Sequence, residues 1–167
     1  MKQFVYIVFL LLSLHVSAQT EKNYGIQFYH GTWKEACDKA KAENKLIFVD
    51  FYTKWCGPCL NMAENVFILP FIGDFYSTNF VNMKIDAENG EGVELAKRYG
   101  VNSYPTYVFV DPKNGDVVHR SKSRQEAEQF LATGKSALVP ELRSGYLIEE
   151  FAKGRDDREF LKNYIHY

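Results

Sequence analysis

The run "KLIFVDF" (residues 45–51) constrains this chain more than any other stretch. A strand with one face in water alternates apolar and polar residues, whereas a nearly continuous apolar run marks a strand covered on both faces. Such a strand needs helices above and below it, and the flanking sequence supplies them. Thr32-Trp33-Lys34-Glu35 has the T-x-x-E form of a capping box, in which each end satisfies a free backbone N–H of the first helical turn. The helix it opens is predicted to run to about Asn44, with Trp33, Ala36, Cys37 and Ala40 on one face. "FVNMKID" (80–86) reads as a second central strand, and "EGVELAKRYG" (91–100) as a helix stopped at Gly100. "PTYVFV" (105–110) and "DVVHR" (116–120) are strands joined through Asn114-Gly115, a strong hairpin signal. "SRQEAEQFLAT" (123–133) is an amphipathic helix, "IQFYH" (26–30) a short strand, and "FIGDFYSTN" after Pro70 a short helix or turn. The alternation gives an α/β fold with one mixed sheet flanked by helices.

Beyond Gly134 the character changes. Pro140 and Gly154 bracket a helix with Leu142, Tyr146, Leu147 and Phe151 on one side, and Asp156 is placed to cap another carrying Phe160, Leu161, Tyr164 and Ile165. Two short amphipathic helices in tandem either dock on the preceding domain or begin a longer helical region. At the other end, Lys2 precedes an apolar stretch from Phe4 to Leu14, then small residues at Ser17 and Ala18. That pattern fits a secretory signal cut after Ala18, which leaves no stable membrane insertion and directs the protein to the periplasm or another exported location; the alternative is an uncleaved membrane anchor. An apolar run of 11 residues is well short of the roughly 20 needed to span a bilayer. The net charge of −1, from 20 basic and 21 acidic residues without a basic block, argues against nucleic acid as a partner.

Directly after the buried strand stand two cysteines, Cys56 and Cys59, separated by Gly57-Pro58. A C-x-x-C where a strand gives way to a helix has a chemical logic. Cys56 would sit at the first helical position, where unpaired N–H groups and the helix dipole favour an anion. This lowers its pKa, and the thiolate is the attacking species. Cys59 falls one turn later on the same face. In exchange, Cys56 attacks a substrate disulfide and Cys59 then resolves the mixed disulfide. Pro58 suits the start of a helix because no N–H is needed there. Two other readings of the pair stay open. A zinc site would need further ligands from Cys37, His30, His119, His166 or scattered carboxylates, none of which forms a second paired motif. A purely structural disulfide would close so small a ring that it restrains little chain entropy. Cys37, on the apolar face of its helix, reads as an inert small hydrophobe, and His119 as a solvated residue of an edge strand.

"VDFYTKWCGPC" resembles the active-site segment of the thioredoxin superfamily, down to Trp55 before the first cysteine and Asp50 six residues ahead of it. "GVNSYPTYVFVD" resembles that family's second signature, a cis-proline before the next strand, and "KNGDVV" its final hairpin. The resemblance covers roughly residues 25–132 and implies a thioredoxin-like fold over 19–133, between the signal at 1–18 and a helical C-terminal extension at 134–167. The helix over 32–44 resembles that of exported members, including reductase modules fed by membrane thiol carriers.

Carried over to this chain, the resemblance makes Cys56 the nucleophile, Cys59 the resolving thiol and Asp50 a buried carboxylate that helps take the proton from Cys59. It makes Pro105 the cis-proline shaping a substrate groove, where Tyr104 and Thr106 offer backbone groups to an extended peptide. Gly57 and Pro58 border that groove, and Trp55 either packs the motif or joins the contact surface. No metal and no bound cofactor is implied. One departure stands out: Asn82 occupies the place where many thioredoxins carry a lysine that pairs with the buried aspartate, and Lys84 lies two residues on. The implied activity is an exported thiol–disulfide oxidoreductase acting on proteins with exposed disulfides and drawing electrons from a membrane-bound thiol donor. The alternative is a thioredoxin-like scaffold whose C-terminal helices dock another protein.

Overall fold

The computed structural model describes residues 24–165; the apolar segment Phe4–Leu14 and the cut expected after Ala18 lie outside them. Helix α1 (Trp33–Glu43) opens on the expected capping box, Thr32 accepting from the Glu35 N–H while the Glu35 carboxylate accepts from the Thr32 N–H. It ends at Asn44, whose φ of 51° turns the chain into β1 (Leu46–Tyr52). There follow α2 (Gly57–Asn65), α3 (Pro70–Asn79), β2 (Phe80–Asp86), α4 (Glu91–Arg98), β3 (Thr106–Val110), β4 (Val117–Lys122) and α5 (Ala127–Leu138). A single 3-10 turn (Pro140–Leu142) leads to α6 (Ser144–Ala152) and α7 (Arg158–Ile165).

The sheet order is β2-β1-β3-β4, with β1 parallel to β2 and antiparallel to β3, and β3 antiparallel to β4. Strand β1 is therefore central, and its interior residues 47–51 are all buried. Side chains alternate across the sheet. Ile47, Val49 and Phe51 pack with Ala36, Ala40, Leu95 and Ala96 of α1 and α4. Phe48 packs on the opposite face with Met62, Ile72, Tyr76 and Phe130 of α2, α3 and α5. The second face is built largely of rings, with Tyr76 and Phe130 stacked 4.5 Å apart and Phe48 edge-on to both. Asp50 belongs to this second face, beneath α2.

Four elements depart from expectation, each for a tertiary reason. Residues 26–30 form one isolated parallel bridge, Phe28 to Asn82, in place of a strand. Helix α5 starts at Ala127 because Ser123 donates its N–H to the Pro105 carbonyl and the buried Gln125 bonds Ser121 and Thr133. The same helix runs through Gly134, where a Cβ would lie 2.9 Å from the Tyr76 ring; that glycine permits close approach to α3. Helix α7 is capped by Asp157, which accepts from the Phe160 N–H at 3.0 Å, and not by Asp156.

His119 is the fourth. It is 4% exposed, against the solvated position expected, because α6 lies across β4. The Ser144 N–H donates to His119 Nδ1 at 3.0 Å, and Ser144 Oγ accepts from the Arg120 N–H at 2.8 Å. Burial, with a smaller contribution from Arg143, holds His119 down at about 4, below the ordinary 6.5. The unfolded chain then takes up a proton below pH 6.5 that the folded chain refuses until about pH 4. Stability is fully present above pH 6.5 and falls as pH drops towards 4, by about 3 kcal/mol at most. Urea melts of the wild type and His119→Gln across pH 7 to 4 are expected to show a steeper acid loss in the wild type.

Candidate active site

The C-terminal end of β1 and the N-terminal end of β3 meet through the pairing of Phe51 with Thr106. The chain leaving β1 and the loop entering β3 therefore emerge at the same edge of the molecule. From β1 the backbone makes a tight turn, closed by the Cys56 N–H on the Thr53 carbonyl at 3.2 Å, and enters α2. Cys56, expected at the first helical position, is instead the N-cap one residue before it, and its Sγ accepts from the Cys59 N–H at 3.1 Å. An N-cap side chain takes one of the helix's orphan donors. A thiolate there gains both that bond and the positive end of the helix dipole.

Cys56 and Cys59 are joined in a disulfide, with Cα atoms 5.3 Å apart. They are 5% and 3% exposed, so only a sliver of each is reachable. Gly57 and Pro58 are exposed, and a Cβ on Gly57 would meet nothing within 4 Å. The spacer thus leaves the approach to Cys56 open. Beside the disulfide lies a hollow of about 210 Å³ whose walls include Tyr52, Trp55, Leu60 and Lys84. Trp55 is 69% exposed, donates its indole N–H to Glu88 at 2.9 Å and stands edge-on to Tyr104 at 6.0 Å. Its ring is held in place, yet most of it faces outward.

The Tyr104–Pro105 peptide bond is cis. Pro105 is buried and Tyr104 half-buried, its ring against Trp55. Thr106 is buried and its hydroxyl donates to the Ser103 carbonyl at 2.7 Å, so its side chain braces the loop from within. The ring contact between Trp55 and Tyr104 joins the proline loop to the dithiol turn.

Asp50 lies behind the dithiol at the centre of the sheet, fully buried, and neither carboxylate oxygen meets a hydrogen-bond partner among the described residues. Burial raises its carboxyl to about 7, with the Lys84 charge acting in the opposite direction. A carboxyl at that value exchanges a proton near neutrality. The β1–β2 register sets Lys84 directly across from Asp50, while Asn82 pairs with Phe48. Asn82 gives its amide to the Gln27 and Tyr76 carbonyls and so pins the N-terminal segment. Two members of this site had no clear signal in the sequence: Glu88, which holds Trp55, and Tyr107, the buried cross-strand neighbour of Asp50; Lys84, the lysine noted two residues beyond Asn82, stands in the hollow wall. Cys37 is half-buried against the α1–α4 core, and burial pushes its thiol up.

A family profile described as a thioredoxin-like domain matches residues 33–138. A solution structure from Bacteroides thetaiotaomicron carrying a provisional disulphide-isomerase assignment is 41% identical, with a TM-score of 0.63 over 71% of this chain and 97% of that one. A thioredoxin from Thermus thermophilus is 29% identical, with a TM-score of 0.62 over 69% of this chain and 88% of that one. Among curated relatives, thioredoxin-1 of Drosophila yakuba is 48% identical over 69 residues, 41% of this chain and 60% of that protein. The chain thus spans about 60% of the length of that relative and of its Drosophila melanogaster counterpart.

Proposed function

The chain belongs to the thioredoxin-like domain family, and we propose that it is an exported thiol–disulfide oxidoreductase that reduces protein disulfides through Cys56 and Cys59. The observation that carries this reading is the Cys56 sulfur capping α2 beside Cys59, with a protonatable Asp50 buried behind the pair.

Starting from the dithiol, the Cys56 thiolate attacks one sulfur of a substrate disulfide. The substrate S–S bond breaks, and its electron pair leaves on the other substrate sulfur, which takes up a proton. Asp50 accepts the Cys59 proton, and the Cys59 thiolate attacks Cys56 Sγ. The Cys56–substrate bond breaks and the second substrate thiol departs. The protein is left as the Cys56–Cys59 disulfide, and two electrons from a thiol donor reset it. For an exported protein that donor would be a membrane-bound thiol carrier, and the substrates would be proteins with exposed disulfides. The apolar segment Phe4–Leu14 followed by Ser17 and Ala18 supports export, with cleavage after Ala18.

The Gly57-Pro58 spacer supports the reducing direction. Reducing thioredoxins stand near −270 mV and the strongly oxidising periplasmic enzyme near −120 mV, a gap of about 150 mV or roughly 7 kcal/mol. The deciding measurement is the reduction potential of the pair in defined thiol buffers, with Cys37 replaced by Ala. A value below about −230 mV is expected. One above about −180 mV would place the protein among oxidases or isomerases and overturn the reductase reading.

The alternative, a scaffold whose C-terminal helices dock a partner, draws on residues 139–165. They lie outside the family match and leave Ile148, Phe151 and Ile165 exposed. The intact dithiol, Asp50 and the cis-proline loop weigh against binding as the sole role.

A further inference from the structure

We propose that a polar hollow between β4, α5 and the terminal helices is a binding site for a small uncharged polyhydroxyl ligand, a sugar or sugar alcohol. The hollow shares no lining residue with the one beside the dithiol, so the proposal is independent of the reductase reading.

The first ground is a buried donor without a partner. The hollow has a volume of about 210 Å³, and His119 stands in its wall. The Ser144 N–H donates to Nδ1, so Nδ1 carries no proton and the neutral ring holds its hydrogen on Nε2. Nε2 finds no hydrogen-bond partner among the described residues, and unlike the Asp50 oxygens it is not closed off from solvent. The N–H of an otherwise buried ring therefore opens onto the hollow. Buried polar groups in folded proteins are met by a partner, and here the place for one lies outside the chain.

The second ground is the chemistry of the wall. Gln125, 3% exposed, donates to Ser121 and accepts from Thr133, which fixes its amide in the wall with one hydrogen still to give. Gln129 and Ser136 of α5 and Asn163 of α7 line the same hollow, and their side chains make no hydrogen bond to any described residue. Each offers both a donor and an acceptor. The one charged residue of the lining is Arg120, and it leaves β4 on the face opposite His119. Its guanidinium donates to the Tyr99 carbonyl and lies 4.0 Å from where a Cβ on Gly100 would stand, in the loop after α4. An ion in the hollow would thus lose its hydration without a counter-charge. An apolar molecule would leave the His119 and Gln125 donors unmet. A hydroxyl both gives and takes a hydrogen bond, and several of them on one small frame match a wall of this kind.

The third ground is size and access. The volume is below the roughly 300–1,000 Å³ of sites for drug-sized molecules, which suits a single sugar ring. A second hollow of about 400 Å³ shares Ser121, Gln125 and Gln129 with the first and runs to Ser103 and Thr106 at the proline loop, so the site has a way in. Leu142 and Asn163, which complete the wall, lie beyond the residues 33–138 matched by the family profile. The site is built jointly by the thioredoxin-like domain and the extension that follows it.

The test titrates glucose, galactose, mannose and N-acetylglucosamine into the oxidised protein, followed by nitrogen-15 NMR at the His119 ring and at the backbone amides of 119–136. At least one sugar is expected to give saturable shifts there, the His119 Nε2 signal among them, while sodium acetate gives none. Gln129→Ala and Asn163→Ala each remove one partner from the wall at a position that makes no other side-chain bond among the described residues. Each should weaken binding of that sugar about fivefold with the melting temperature unchanged. Gln129 is exposed on α5, so that variant carries the test if Asn163→Ala loosens α7. Absence of saturable shifts with all four sugars overturns the proposal. So do acetate binding as tightly as the sugar, shifts centred on the dithiol hollow, or an affinity indifferent to Gln129→Ala.

Discussion

Asp50→Ala is expected to make the protein more stable while slowing its turnover. The stability effect follows from the carboxyl being raised to about 7 in the folded chain against an ordinary 3.8. Below pH 3.8 both states hold the proton and the carboxyl is neutral in both. As pH rises towards 7, the unfolded chain loses its proton and gains hydration while the folded chain keeps the group neutral and buried. Stability is thus lost between about pH 4 and pH 7. The full penalty above that window is about 4 kcal/mol at 1.36 kcal/mol per unit. The small cavity left by the truncation offsets part of the gain. Urea unfolding of oxidised protein should therefore show Asp50→Ala ahead of wild type by about 2–4 kcal/mol at pH 8, the difference vanishing near pH 4. Equal stabilities at pH 8 would mean that the Asp50 carboxyl is not raised in the folded protein, being hydrated or partnered in solution. The slower turnover, about 100-fold at pH 7, lies at the low end of the roughly 10²- to 10⁴-fold that a general acid or base contributes.

Cys56→Ser should bring reduction of insulin disulfides to the uncatalysed background. A serine hydroxyl at the α2 N-cap can accept the Cys59 N–H as the sulfur does, so the helix start survives. What is lost is the nucleophile, because an alkoxide does not form near neutral pH and a thiolate does. Cys59→Ser separates the two thiols. It leaves Cys56 able to attack and removes the group that resolves, so mixed disulfides with substrate should accumulate and be visible by mass. Full activity in Cys56→Ser would end the assignment of Cys56 as nucleophile. Accumulation in Cys56→Ser in place of Cys59→Ser would exchange the two roles.

The central strand and its helices were legible because their signals are local. "KLIFVDF" states burial on both faces, Thr32 and Glu35 write the start of α1, and Asn114-Gly115 writes the final hairpin, with Gly115 at φ 79°. The cysteine pair and the Tyr104–Pro105 loop were legible for a different reason, since their residue types are few and their spacing specific. What escaped was set by register and by distant chain. Nothing near Asp50 says that Lys84 stands opposite; the parallel pairing decides it. Nothing near Trp55 points to Glu88, 33 residues on. His119 alternates with apolar residues as an edge-strand histidine does, and only α6, 25 residues later, turns it inward. Ile26 and Phe28 alternate like a strand but find one bridge, because Asn82 and Ser77 take the segment's polar groups first.

The placement of α6 bears on the behaviour of many copies as well as of one. An open sheet ends in strands whose outward N–H and C=O groups invite pairing with another chain. In this molecule the β4 margin is closed by Ser144 on the Arg120 N–H, and the β2 margin is met by Phe28 and by the Tyr29 N–H on the Asn82 carbonyl. Both flanks are thereby denied to a neighbour. A chain cut behind α5 would retain its thiols and its hollow but present a bare strand, and at high concentration such copies would tend to add to one another edge by edge. Helix α6 in this way would serve colloidal solubility, a property of the population that no measurement of turnover in a dilute sample would register.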